Sequence, residues 1–292
     1  MPAETIYNEI RVQSALNKLK RKVPYGWDLN IYRGCGHGCH YCYAMYSHDY
    51  IDTAKSFHND IYVKTNIVEQ LEKELKAASW KREVINIGGV TDSYQPAEGQ
   101  HRLMPQILKL LIKYKTPAII STKSDLLLRD YDLIDELSRI TYINIAATIT
   151  TVDNAVSGKI EPGSVDAAQR FNVLKEFRKT NASIGLHLMP IIPLITDSKD
   201  NFEQMFAMAS ECGVHYVLPG TLYLRGKTRP YFFDFIQNEF PQVFPEFKAL
   251  YKTGGANREY KNQLYQMVNP LRAKYSLSGG YMQVMREKIH QD

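Results

Sequence analysis

Cysteine and tryptophan are scarce in this chain, with four and two residues among 292. Four thiols in a chain of this length do not make the dense cross-linking of a small secreted domain. Long apolar runs are missing as well, and none approaches the ~20 residues that a membrane-spanning helix needs. Met1 to Glu9 lacks the charged-then-apolar shape of a secretory leader. These absences, and thiols that oxidation would consume, point to a reducing cytoplasm and to no membrane partner. Charge is not one-sided: 36 basic against 31 acidic residues leave a formal +5. That mildly basic balance is compatible with a nucleic-acid partner without indicating one. What is present in quantity is hydrophobic material, at 44%, enough for the core of one large α/β domain or two small ones.

Three of the four cysteines, Cys35, Cys39 and Cys42, sit in the stretch I-Y-R-G-C-G-H-G-C-H-Y-C-Y-A-M-Y, Ile31 to Tyr46, in a C-x3-C-x2-C pattern. On a backbone loosened by Gly34, Gly36 and Gly38, three thiolates so close together can point at one small soft object. An iron–sulfur cluster is the simplest such object, and three cysteines on a 4Fe–4S cube leave one iron open. A zinc loop completed by His37, His40 or His48 is the rival, with the chain then a nucleic-acid-binding protein using Lys18, Lys20, Arg21 and Lys22. Structural zinc loops, however, pair two C-x2-C units. The lone Cys212, at a helix end before Gly213, reads as a buried, inert thiol.

From Trp27 onward, strand-like and helix-like segments alternate. Strands are expected at Asp28 to Tyr32, Val84 to Gly88, Ala118 to Thr122, Tyr142 to Thr148, Ser183 to Met189 and Val214 to Leu218. Helices are expected at Asn66 to Ala78, His101 to Tyr114, Tyr131 to Ser138, Val165 to Lys179 and Asn201 to Ser210. This order implies a parallel sheet, either doubly wound or a whole or partial TIM-like barrel. The strands are aliphatic on one face only: Ile143, Ile145 and Ile149 alternate with Asn144, Thr148 and Thr150, and Ile184, Leu186 and Leu188 with Gly185, His187 and Met189. A sheet covered by helices on both faces would be apolar throughout, so the polar face is expected to look into a lumen.

The cysteine loop, with Tyr41 before its third cysteine, resembles the signature of the radical SAM superfamily. The fuller string R-G-C-x-H-G-C-x-Y-C-Y is similar to the branch containing spore photoproduct lyase. The resemblance implies a partial (β/α)6 barrel, a 4Fe–4S cluster on Cys35, Cys39 and Cys42, and S-adenosylmethionine (SAM) chelated by the open iron. Reductive cleavage of SAM to a 5'-deoxyadenosyl radical, for hydrogen abstraction from a substrate, follows from the same resemblance, as does an electron donor such as flavodoxin or ferredoxin. It further implies that Gly88 and Gly89 contact the SAM amino group with Thr91 and Asp92 nearby, that Lys123 meets its carboxylate, and that Thr148 lies near the ribose or carboxylate. Tyr41 and Tyr43, flanking Cys42, take the place of tyrosines that relay the radical in spore photoproduct lyase. E-P-G-S from Glu161, with Arg170, also matches that branch. The cysteine that spore photoproduct lyases carry at the end of the second strand is replaced here by Gly88 and Gly89. A true lyase acting on DNA photoproducts is therefore not expected. The expected organisation is an arm over 1–23, a barrel over 24–220, and a helical, aromatic extension over 221–292.

Overall fold

The computed structural model describes residues 4–20, 23, 25–51, 55–280, 282 and 285. Arg21 and Lys22 of the basic run lie outside them, as do residues 52–54. Among the described residues the strands are β1 (Ile6–Ile10), β2 (Leu16–Lys18), β3 (Trp27–Leu29), β4 (Tyr32–Arg33), β5 (Asp60–Lys64), β6 (Ile85–Ile87), β7 (Ala118–Thr122), β8 (Ile143–Thr148), β9 (Ser183–Ile191) and β10 (Tyr216–Thr221). The helices are α1 (Ile67–Lys76), α2 (Pro96–His101), α3 (Leu103–Lys113), α4 (Tyr131–Ile140), α5 (Asn154–Ile160), α6 (Ala167–Phe177), α7 (Lys199–Glu211), α8 (Thr228–Glu239), α9 (Phe244–Leu250) and α10 (Arg258–Lys274).

Six strands, β3, β6, β7, β8, β9 and β10, pair in parallel in sequence order, and β2 adds antiparallel to β3. The sheet does not close on itself, so the architecture is an α/β partial barrel. Every second strand residue faces the helices. Leu29, Ile85, Ile87, Ile120, Ile143, Ile145, Ile184, Leu186 and Val217 enter one core with Leu71, Ile107, Leu111, Ile134, Phe171, Leu174 and Phe206. The helices form because their apolar residues recur at helical spacing, as in α1, where Ile67, Leu71 and Leu75 make one buried stripe.

Two local readings change. The first predicted strand splits: β3 stays in the large sheet, while β4 leaves it to pair antiparallel with β5 in a three-stranded sheet ordered β1-β5-β4. Residues 12–16 are tied to the start of α1 and its Glu74: Asn66 brackets Val12, and the Glu74 carboxylate accepts from the Ala15 and Leu16 amides. The helix expected from His101 to Tyr114 breaks at Arg102, whose φ is +48°. There the buried Glu98 carboxylate accepts the Leu103 and Met104 amides at 3.0 Å each and starts α3 afresh.

Candidate functional site

The cysteine loop leaves β4 through Gly34, held in place from four sides. The Cys35 amide donates to the Phe57 carbonyl at 3.0 Å. Gln95, fully buried, accepts from the Gly36 amide at 2.8 Å and donates to the Gly34 carbonyl at 3.0 Å. His37 bonds the Gly163 carbonyl through Nδ1 at 2.9 Å and Asp92 through Nε2 at 3.1 Å. The C-terminal helices close the outside: His40 stacks on Phe235 with ring centroids 4.0 Å apart, and Thr228 donates to the Cys42 carbonyl at 3.2 Å.

Asp92 joins the loop to the sheet. Besides His37 it accepts Thr122 Oγ1 at 2.9 Å, the Lys123 amide at 2.9 Å and the Tyr94 amide at 2.8 Å. Burial raises its pKa, but His37 and these donors outweigh burial and hold it below the ordinary aspartate value. Thr91 donates to the Gly34 carbonyl at 2.6 Å. Both side chains, expected beside a cofactor, are thus committed to bracing the loop. Gly88 has φ +89°, and a Cβ on Gly89 would lie 2.6 Å from Asp28 Oδ2, so neither position tolerates a side chain. The Gly89 carbonyl accepts the Tyr43 phenol, whose ring is half exposed.

On the other side of the loop, Glu161 and Arg170 form an ion pair at 2.7 Å, each about 1% exposed. Glu161 also accepts the Tyr41 phenol and Thr150 Oγ1, while Arg170 donates to the Thr148 and Val165 carbonyls at 2.7 Å each. Burial pushes the Glu161 carboxyl up; Arg170, Lys123 and the hydrogen bonds pull it below the ordinary glutamate range. Thr148 therefore meets this network through its backbone carbonyl. Sequence reading paired Glu161 with Arg170 but missed Gln95, and weighed His37 only as a zinc ligand. A buried glutamine leaves no periodic trace in the sequence.

All four cysteines are free thiols. Burial pushes Cys35 up to about 12, with Asp92 and Cys42 adding to the shift. Cys39 is raised by burial, lowered by Lys123, and raised again by Glu161, Cys42 and Cys35; Cys42 is raised by burial and lowered by the Ala44 amide and Lys123. Thiols that raise one another share a small space and stay protonated unless a cationic centre takes the charge, which is what multinuclear iron supplies. Lys123 reaches the same space, its Nζ 5.7 Å from the Tyr41 ring centroid. The donor set fits a cluster. A single zinc would need a fourth donor from His37, His40 or His48. His37 spends both ring nitrogens on Gly163 and Asp92, His40 bonds the Tyr231 phenol through Nδ1, and His48 bonds the Asp60 carbonyl through Nε2 while its Nδ1 has no partner among the described residues. Cys212 caps the C-terminus of α7, its thiol donating to the Phe171 carbonyl at 3.5 Å. Among the described residues no helix is long and apolar enough to cross a membrane.

Known proteins give a consistent picture. An uncharacterized protein of Mycobacterium tuberculosis is 33% identical over 280 residues, covering 94% of this chain and 82% of the relative. An uncharacterized protein of Methanocaldococcus jannaschii is 26% identical over 275 residues, covering 88% and 93%. Spore photoproduct lyase complexed with dinucleoside spore photoproduct superposes with a TM-score of 0.67 at 12% identity, over 92% of this chain and 79% of that one. A mutant of that lyase with bound AdoMet and the same dinucleoside gives 0.64 at 12% identity, over 91% and 78%. At such identity the likeness is one of fold. The family model for the radical SAM superfamily matches residues 29–209, from β3 through α7, and with the relatives above it establishes that the chain belongs to that superfamily.

Proposed function

We propose that Cys35, Cys39 and Cys42 hold a 4Fe–4S cluster and that the chain uses it with SAM to take a hydrogen atom from a C–H bond of an organic substrate. Members of the superfamily bind these two cofactors, and the chain is accordingly a SAM-dependent radical enzyme. The observation that carries the assignment is the set of three free thiols, Cys35, Cys39 and Cys42, on one loop braced by Gln95 and Thr91, with the Lys123 ammonium beside the Tyr41 ring. When bound, the two cofactors supply the 5'-deoxyadenosyl radical, on an electron from a flavodoxin- or ferredoxin-type donor.

The chain's own residues orient and enclose. Gly88 and Gly89 offer backbone groups to the SAM amino group while Thr91, Ser93 and Asp28 fill the space a Cβ would need, Lys123 offers a cation to a carboxylate, and Thr148 stands at the strand end. Thr91 and Asp92 work one step back, fixing the loop and the Lys123 backbone. Tyr41 is enclosed against Glu161, whereas Tyr43 is half exposed and tied to Gly89. These two remain the candidates for standing beside the radical's path. Anaerobic reconstitution with iron and sulfide, then dithionite and SAM, is expected to yield 5'-deoxyadenosine with about four irons per chain. Cys39→Ala is expected to abolish the product; unchanged product in that variant overturns the assignment.

A further inference from the structure

The polar face of the sheet carries a network that the cysteine loop and its braces do not use. Toward the N-terminal strand ends this face is plugged by Val84, Ile119, Tyr142 and Met285. Beyond the plug, Asn144 lies 3.2 and 3.1 Å from the Ser183 carbonyl and hydroxyl. A carbonyl oxygen only accepts, so the Asn144 nitrogen faces Ser183 and its Oδ1 accepts the Tyr216 phenol at 2.9 Å. The Tyr216 ring crosses the sheet at Gly185, where a Cβ would stand 2.0 Å from Cζ. With its proton given to Asn144, the phenol oxygen accepts from His187 Nε2 at 3.1 Å. His187 is thereby fixed with its hydrogen on Nε2 and a lone pair on Nδ1. That lone pair meets Ser121 Oγ at 3.4 Å, the loosest link in the chain of bonds.

Burial divides the network. Asn144, Ser183 and Tyr216 are fully enclosed, whereas Ser121 and His187 are partly exposed. A buried relay behind an accessible imidazole and hydroxyl is the pattern of a recognition site set by supporting side chains, and three buried polar groups gain little if packing is their only role. Lys123, two residues beyond Ser121, holds its Nζ 5.7 Å from the ring centroid of Tyr41 in the cysteine loop, so the strand end that carries Ser121 faces that loop.

We propose that Ser121 and His187 are a substrate-recognition pair for an amide-type edge, in which an N–H lies beside a C=O. His187 Nδ1 accepts the N–H, and the displaced Ser121 hydroxyl donates to the carbonyl. The inference rests on this face being the substrate side of a radical SAM enzyme, but its test does not pass through SAM cleavage, so the two ideas fail separately.

The probe is 2-pyrrolidone, a lactam with that edge, against N-methyl-2-pyrrolidone, which has lost the N–H. Saturation-transfer NMR on the full chain is expected to show binding of the first and not the second. His187→Leu weakens lactam binding roughly three- to tenfold, the loss of one hydrogen bond. Tyr216→Phe, at a position that touches no ligand, weakens it too by releasing the imidazole tautomer. Equal signals from both lactams, no signal from either, or lactam binding unchanged in His187→Leu overturns the proposal. If His187→Leu fails to fold, Ser121→Ala decides in its place, and unchanged binding there overturns it equally.

Discussion

Arg170→Met probes the brace behind the cysteine loop. The substitution keeps the bulk of the side chain and removes its charge and every donor. Glu161, about 1% exposed, then remains as a buried carboxylate without its guanidinium, at a cost of about 3–5 kcal/mol. The Thr148 and Val165 carbonyls lose their donor as well, at about 1 kcal/mol each. These losses overlap, so a net destabilisation of about 5 kcal/mol is expected, a large share of the 5–15 kcal/mol that holds a typical domain together. At about 2 °C per kcal/mol for a chain of this size, the melting temperature falls by about 10 °C. Urea unfolding followed by circular dichroism measures the change, with the double variant Glu161→Leu/Arg170→Met beside it. An apolar pair of similar volume removes the stranded charge, so the double variant should be the more stable of the two. Tyr41 and Thr150 lose their shared acceptor in it, which keeps recovery incomplete. A single variant within 1 kcal/mol of the parent, or a double variant no better than the single, refutes the account.

Other perturbations address the sheet. Gly89→Ala drives a Cβ to 2.6 Å from the Asp28 carboxylate, so it should destabilise by about 1–3 kcal/mol, with Asp28→Ala restoring part; no rescue in the double variant would sink the steric explanation. His187 is pushed down to about 4 by burial and by the Lys123 charge, whereas an unfolded histidine titrates near 6.5. Between those values the unfolded chain binds the extra proton, so the stability gained from the neutral ring is complete above about pH 6.5 and lost as pH falls toward 4. The urea midpoint of His187→Gln should therefore slope less steeply over that window than the parent's, and parallel slopes would contradict the assigned environment.

The alternation of Ile143, Ile145 and Ile149 with polar residues was enough to set the helix-facing side of β8, because side chains in a strand repeat every two residues whatever the context. The spacing of Cys35, Cys39 and Cys42 likewise marks a ligand loop, since proximity along the chain forces proximity in space. The exchange of β4 into a second sheet was not legible. It depends on β5, which lies some thirty residues further on and was not among the expected strands. The break at Arg102 was hidden for a related reason: the cap comes from Glu98, three residues before the expected helix, and no local pattern marks its carboxylate as buried.

The sequence by itself determined the parallel α/β order, the two-faced sheet and the three-thiol loop, all of which rest on separations of a few residues. Tertiary structure alone decided what holds that loop and what tunes the polar face. Asp92 reaching His37 and Thr122, Glu161 reaching Tyr41 and Arg170, and Asn144 setting His187 through Tyr216 are contacts between residues up to 120 positions apart. A buried polar group is stable only when every partner is in place, and no local pattern records partners that only folding brings together.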